Sequence, residues 1–269
     1  MNQHLVPGAA GTDVFVLEHG SGTPVLLLAG LGDKHDAWGF QFETLGSERR
    51  LLALDNRGTG RSALPDEGVT MPGMADDAAA VLQALDATPA HVMGFSGGGA
   101  VAQELVLRHP DLARSLVLVG TWSRPDPHLR ALTATWSALL DHAPDEVFLD
   151  VLLRWVYTDA AHEDGRVAAW KAEAMADPLG ADAALVRAQL EAFDTHDTAA
   201  RLRSLELPAL VVAGDRDPIF PRPVADELAA AIPGARLEIL AGQSHQPFQE
   251  VPEDFDRLVS GFWDEVEAG

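Results

Sequence analysis

Short, almost wholly apolar runs alternate along the chain with longer stretches in which apolar residues recur at helical spacing. That is the pattern of a parallel sheet covered by helices. Val25–Ala29, Leu51–Asp55, His91–Phe95, Ser115–Val119 and Ala209–Ala213 are the clearest strand segments, and Arg236–Leu240 is a further one. Near-continuous Val and Leu suits strands buried on both faces, because a strand with one wet face alternates instead. Helical segments fall between them at Met74–Leu85, Gly98–Arg108 and Val224–Ala231, and Phe255–Val266 reads as a closing helix. The second ends at His109-Pro110, since the proline ring crowds a helical residue before it.

The rhythm breaks between about Thr121 and Leu207, where the sequence becomes helical throughout, with Pro125, Pro127, Pro144 and Pro178 as breakers. Four of the six tryptophans lie here: Trp122, Trp136, Trp155 and Trp170. Strand-like sequence resumes at Leu207-Pro208. The simplest organisation is a core of residues 1–121 and 207–269, with residues 122–206 as a helical cap inserted between two strands of one sheet. The 269 residues suit a single large unit of this kind.

Composition narrows the partners. Acidic residues outnumber basic ones 41 to 19, for a formal charge of -22. Such a surface repels phosphate backbones and anionic headgroups, so neither nucleic acid nor membrane is an expected partner. With no cysteine, disulfides, thiolate metal sites and a Cys nucleophile are excluded. Neither a basic-then-apolar leader nor an apolar run of membrane-spanning length is apparent, and a soluble, cytoplasmic protein is the expectation.

The chemistry concentrates after the third of the five clearest strand segments. Gly94-Phe95-Ser96-Gly97-Gly98 follows a strand and opens a helix, the context of a nucleophile elbow. A serine on so sharp a turn takes a strained conformation, and glycines on either side remove side chains that would collide with strand and helix. Its hydroxyl then stands at a helix N-terminus, where backbone N–H groups favour developing negative charge.

A serine hydroxyl needs a base, and the base an orienting carboxylate, in the chain order Ser, acid, His for this architecture. Ala209–Ala213 leads into Gly214-Asp215-Arg216-Asp217-Pro218, and the last strand leads into Gly242-Gln243-Ser244-His245-Gln246-Pro247. Both loops fall at strand C-terminal ends, where open α/β sheets place their sites. His245 is therefore the expected base. Asp215 and Asp217 both qualify as the acid; Asp215 is placed to shape the turn through its own hydrogen bonds, which leaves Asp217 for the triad. Oxyanion donors are expected from the N–H of Gly97 and, in the Gly30-Leu31-Gly32-Asp33 turn, from that of Leu31.

These residues resemble the α/β-hydrolase superfamily over nearly the whole chain. Besides the elbow, Asp55-Asn56-Arg57-Gly58-Thr59-Gly60-Arg61-Ser62 is similar to the family's Asp-x-Arg-Gly-x-Gly-x-Ser loop. The layout looks most like the enol-lactonase, esterase and cofactor-free haloperoxidase branch. The resemblance implies an α/β-hydrolase fold with a helical cap after the sixth strand, and a serine hydrolase acting on a carboxylic ester or lactone with no cofactor and no metal. A C–C bond hydrolase or a perhydrolase would use the same triad, and a small-molecule receptor or binding scaffold is the reading from another class.

Two departures stand out. The family's His-Gly before the oxyanion residue is Ala29-Gly30 here, and the bulky residue usual after the nucleophile is replaced by Gly97-Gly98-Gly99. The three glycines predict extra room beside the oxyanion hole and acceptance of a bulky acyl group. The cap aromatics favour an apolar or aromatic small molecule, with Trp122 and Trp155 as the expected pocket residues.

Overall fold

The computed structural model describes residues 1–180 and 182–269. Its strands are β1 (Asn2–Pro7), β2 (Asp13–Gly20), β3 (Pro24–Leu28), β4 (Arg50–Leu54), β5 (Ala90–Phe95), β6 (Ala113–Val119), β7 (Ala209–Gly214) and β8 (Arg236–Leu240). They form one eight-stranded sheet in the order β1-β2-β4-β3-β5-β6-β7-β8. β3 to β8 run parallel, while β2 is antiparallel to both its neighbours. The six apolar runs are β3 to β8. The antiparallel pair β1 and β2 carries no such signal, because only Val6 of β1 is buried on this edge.

Helices α1 (Gly39–Thr44), α2 (Met71–Ala84) and α3 (Gly97–Arg108) belong to the first half of the chain. Between β6 and β7 come five more: α4 (Pro127–His142), α5 (Asp145–Val156), α6 (Asp159–Glu163), α7 (Arg166–Ala176) and α8 (Ala183–Thr195). The chain closes with α9 (Arg222–Ala231), α10 (Pro247–Glu250) and α11 (Pro252–Ala268). None of the described helices is long and apolar enough to cross a membrane.

Alternate side chains of a strand point to opposite faces, so the continuous apolar strands feed two cores. One face gathers Leu26, Leu28, Val92 and Leu118 with α2, α3, α9 and residues of the inserted helices such as Leu190 and Phe193. The other gathers Val25, Leu27, Met93 and Val117 with Trp38, Phe248, Phe255 and Trp263. The insertion leaves the sheet unbroken: Leu116 of β6 still pairs with Ala209 of β7. Its helices begin where the sequence supplies caps. Asp126 accepts from the Leu129 N–H, Thr158 from that of Ala161 and Asp182 from that of Leu185, each satisfying a backbone donor that the first turn leaves unpaired.

Candidate active site

Ser96 sits between β5 and α3 with φ 53° and ψ −120°, a region that side-chain-bearing residues adopt only when their surroundings hold them there. Its N–H donates to Val119 O at 2.9 Å, and its carbonyl accepts the Thr121 hydroxyl at 2.8 Å and the Gly99 N–H at 2.9 Å. Glycine is demanded on both sides, because a Cβ at Gly94 would strike the Gly98 carbonyl and one at Gly98 the Leu28 carbonyl. The turn thus presents the Ser96 side chain at the C-terminal edge of the sheet.

His245 lies in the loop after β8 and Asp217 in the loop after β7. The His245 Nδ1–H donates to Asp217 Oδ2 at 2.8 Å. The other carboxylate oxygen accepts the N–H groups of Ile219 at 2.8 Å and Phe220 at 3.0 Å. Asp217 therefore has one oxygen fixed by the backbone and the other turned to the imidazole. Both residues are buried. The imidazole packs on Phe95, ring centroids 4.7 Å apart, and on Phe220 at 5.5 Å. It also fills the space over Gly120, whose φ is 49° and whose Cβ position is 3.1 Å from Nδ1. Asp215 points elsewhere: its Oδ1 accepts the Gly242 N–H at 2.7 Å, tying the turn after β7 to the turn after β8. Ser96 Oγ and His245 Nε2 make no hydrogen bond among the described residues, and neither is among the fully enclosed unpartnered atoms.

The loop after β3 spends its backbone donors selectively. The Asp33 N–H bonds Gly30 O at 3.3 Å, and the Gly32 N–H bonds Gln189 Oε1 at 2.8 Å. The Leu31 N–H has no partner among the described residues. Gly97 opens α3, so its N–H has no acceptor within the helix.

The room predicted beside Gly97 does not exist. The Phe193 ring of α8 occupies it, with Cζ 2.5 Å from where a Gly97 Cβ would stand. The Thr121 side chain fills the corresponding space at Gly99, 2.6 Å away. The glycines admit neighbours rather than substrate, and the steric case for a bulky acyl group falls with them. Trp122 is fully buried behind this layer, 4.9 Å from both Phe193 and Phe220 and stacked on the latter at 13°. It backs two rings beside the candidate site and lines a separate cavity of about 210 Å³ with Arg124, Leu129 and Glu227. Trp155 is half-buried against His128 at 6.4 Å, and no aromatic contact joins it to Ser96 or His245 among the described residues. The aromatic residues nearest the candidate triad are thus Phe95, Phe193 and Phe220. Phe95 carries its own signal within the elbow. Phe193 lies on α8, far away in sequence, and Phe220 follows Asp217 by three residues in the loop after β7; neither carries a signal of its own.

Burial pushes the Asp33 carboxyl up to about 7, helped by the charge of Asp36 and opposed by His245, the Gly30 N–H and Lys34. Other histidines have structural partners: His91 bonds Ser115 and Glu267, His109 bonds Asp76, and His35 bonds Asp55. Asp55 also accepts the N–H groups of His35 and Arg61, while Arg57 binds Asp77 and the carbonyls of Gly68 and Gly73. The Asp55–Ser62 loop is accordingly a backbone brace.

The family model for the alpha/beta hydrolase fold matches residues 23–250. The chain belongs to that family. It is 30% identical over 257 residues to a protein of Azorhizobium caulinodans named "Putative carbamate hydrolase RutD", covering 95% of this chain and 96% of that one. Among solved structures, a hydrolase from Pseudomonas aeruginosa PA01 superposes with a TM-score of 0.87 at 27% identity, over 97% of this chain and 98% of the other. The enol-lactonase from Burkholderia xenovorans LB400 does so at 0.86 with 25% identity, over 98% and 100%. Family and relatives together make this chain a hydrolase acting on a small molecule.

Proposed function

We propose that the protein hydrolyses a carboxylic ester or lactone of an apolar small molecule through an acyl-enzyme on Ser96. The observation that carries this reading is the 2.8 Å bond from His245 Nδ1 to Asp217 beside a serine held at φ 53°. With Nδ1–H committed to the carboxylate, Nε2 is the free basic nitrogen. It takes the Ser96 proton as Oγ attacks the carbonyl. The tetrahedral oxyanion is received by the Leu31 and Gly97 N–H groups, each worth roughly 3–4 kcal/mol by the precedent of removed donors. The protonated imidazole gives its proton to the departing alcohol. Water then attacks the acyl carbonyl, its proton passing to His245, and the acid leaves as Ser96 regains its proton. Asp217 stabilises the imidazolium in both halves. The inserted helices act as a cap, and the Phe193 and Phe220 rings favour an apolar acyl or leaving group. The carbamate in the relatives' name is a carbonyl compound open to the same attack, so it belongs in the substrate panel.

The test is turnover of aryl esters, a lactone and an aryl carbamate by the wild type and by Ser96→Ala. The expected result is hydrolysis by the wild type and a loss of roughly 10⁴-fold or more in kcat in the variant, the scale seen when a triad serine is removed. Comparable turnover by Ser96→Ala would overturn the assignment.

A further inference from the structure

One helix of the insertion touches every loop that builds the candidate oxyanion hole. On α8, residues 185, 189 and 193 recur at a spacing of four and so share one face. Leu185 Cδ1 lies 2.8 Å from the Cβ position of Gly58. Gln189 Oε1 accepts the Gly32 N–H at 2.8 Å and its Nε2 donates to the Thr59 hydroxyl at 3.3 Å. Phe193 covers Gly97. A second contact follows the same line, since Lys34 of the oxyanion loop pairs with Asp177, just before α8.

Gln189 is 3% exposed. A buried amide costs stability unless its donor and acceptor are both satisfied, and a leucine of similar size would pack there without that cost. Both ends of this amide are satisfied by the core's loops, not by α8's own neighbours. With alanine at position 29, the end of β3 offers no polar side chain of its own to the loop, whose carbonyl at Ala29 accepts Asn56 Nδ2 at 3.3 Å. Engaging the Gly32 N–H fixes the peptide plane immediately after Leu31. That leaves the Leu31 N–H as the unspent donor of the turn. Gln189 shares a small pocket of about 10 Å³ with Gly30, Asn56, Gly97 and Phe193, and its own burial keeps bulk water from competing for the amide.

We infer that Gln189 is a positioning residue for the reaction: the inserted helix α8, through this amide, sets the oxyanion loop in the orientation that lets Leu31 N–H meet the transition state. This rests on the reading of Ser96 as nucleophile and Leu31 as donor. The amide touches no reacting atom and acts through the loop alone.

The experiment compares Gln189→Leu, Gln189→Glu and, as a stability control, Asp182→Ala, which removes the cap of α8 without touching the amide. Three readouts are taken for each: kcat and KM on an aryl ester, the inhibition constant of an aryl trifluoromethyl ketone, and Tm. Such a ketone forms a tetrahedral adduct with the serine and reports on the oxyanion hole. Losing an oxyanion donor outright costs 10²–10³ in kcat, so misorienting one should cost about 10- to 100-fold. Gln189→Leu is expected to lose that much in kcat with KM changed less than about threefold, and its affinity for the ketone should fall by a similar factor. Gln189→Glu keeps the acceptor for Gly32 N–H and should recover most of the loss. Asp182→Ala should lower Tm while keeping the ketone affinity. The inference is overturned if Gln189→Leu matches the wild type in kcat and ketone affinity, if Gln189→Glu is as impaired as Gln189→Leu, or if Asp182→Ala weakens the ketone equally. Ser96→Ala run alongside separates the two levels. An inactive Ser96→Ala with a normal Gln189→Leu defeats the positioning role alone, whereas an active Ser96→Ala defeats the underlying reading.

Discussion

At the residue scale the proposed chemistry turns on the orientation of a single imidazole. Asp217 accepts two backbone N–H groups on Oδ1 and the imidazole on Oδ2. An asparagine in its place would keep its carbonyl oxygen on the two backbone donors and turn its NH₂ toward His245. Nδ1 would then have to accept, and the ring proton would move to Nε2, where it blocks uptake of the Ser96 proton. Asp217→Asn is therefore expected to lower kcat for aryl ester hydrolysis by about 10³–10⁴-fold while KM changes little. A loss of tenfold or less would mean that the carboxylate does not set the tautomer. The strand-end positions of the candidates Ser96, Asp217 and His245 were legible in the sequence, because strand ends and glycine turns announce themselves locally. Between Asp215 and Asp217 the sequence assigned the turn-shaping role to Asp215; in the structure Asp217 closes its own turn and meets His245, while Asp215 reaches across to the Gly242 N–H. Phe193 and Gln189 were not legible. Nothing in their local sequence distinguishes a residue that docks on a distant loop from one that fills the interior of the insertion.

At the scale of elements, the apolar runs foretold β3 to β8, because strands buried on both faces leave little freedom in composition. β1 and β2 escaped for the opposite reason: β1 is an edge strand that buries only Val6, and in β2 burial is confined to Val14, Phe15 and Val16 before the polar Glu18-His19-Gly20. The three glycines at the start of α3 show how a correct motif can mislead. From the sequence they signal empty space, whereas the packing of α8 fills it. The contact makes a prediction of its own. Gly97→Ala would force a methyl against Phe193, and overpacking of this kind costs about 1–3 kcal/mol. Phe193→Leu should relieve part of that cost, so a double-mutant cycle followed by chemical denaturation should show coupling between the two positions. Additive effects would mean that the ring and the helix start do not meet. The single Phe193→Ala change, by opening the space, should extend turnover to branched acyl esters that the wild type handles poorly.

At the scale of the whole molecule, half-buried Asp33 and buried His196 pull stability in opposite directions as pH changes. The folded Asp33 titrates at about 7 against 3.8 for a free carboxyl. Between those values the native state keeps a proton that the unfolded chain has lost, so raising the pH lowers stability. Burial pushes His196 down to about 4 from 6.5. Across that window the unfolded chain holds the extra proton, so raising the pH increases stability. The two effects oppose one another up to pH 6.5 and Asp33 acts alone just above it. Thermal unfolding of Asp33→Asn relative to wild type should therefore show a Tm difference that shifts in the variant's favour as pH rises from about 4 to 7. A difference constant with pH would contradict the burial of that carboxyl. The central claim is that Ser96 is the nucleophile, and its most direct test is to find where an active-site probe ends up. The protein is treated with a fluorophosphonate, digested, and mapped by tandem mass spectrometry. The geometry around Ser96 and His245 predicts a single phosphonylated serine, Ser96, and no adduct in Ser96→Ala; an adduct on another residue, or equal labelling of the variant, would contradict it.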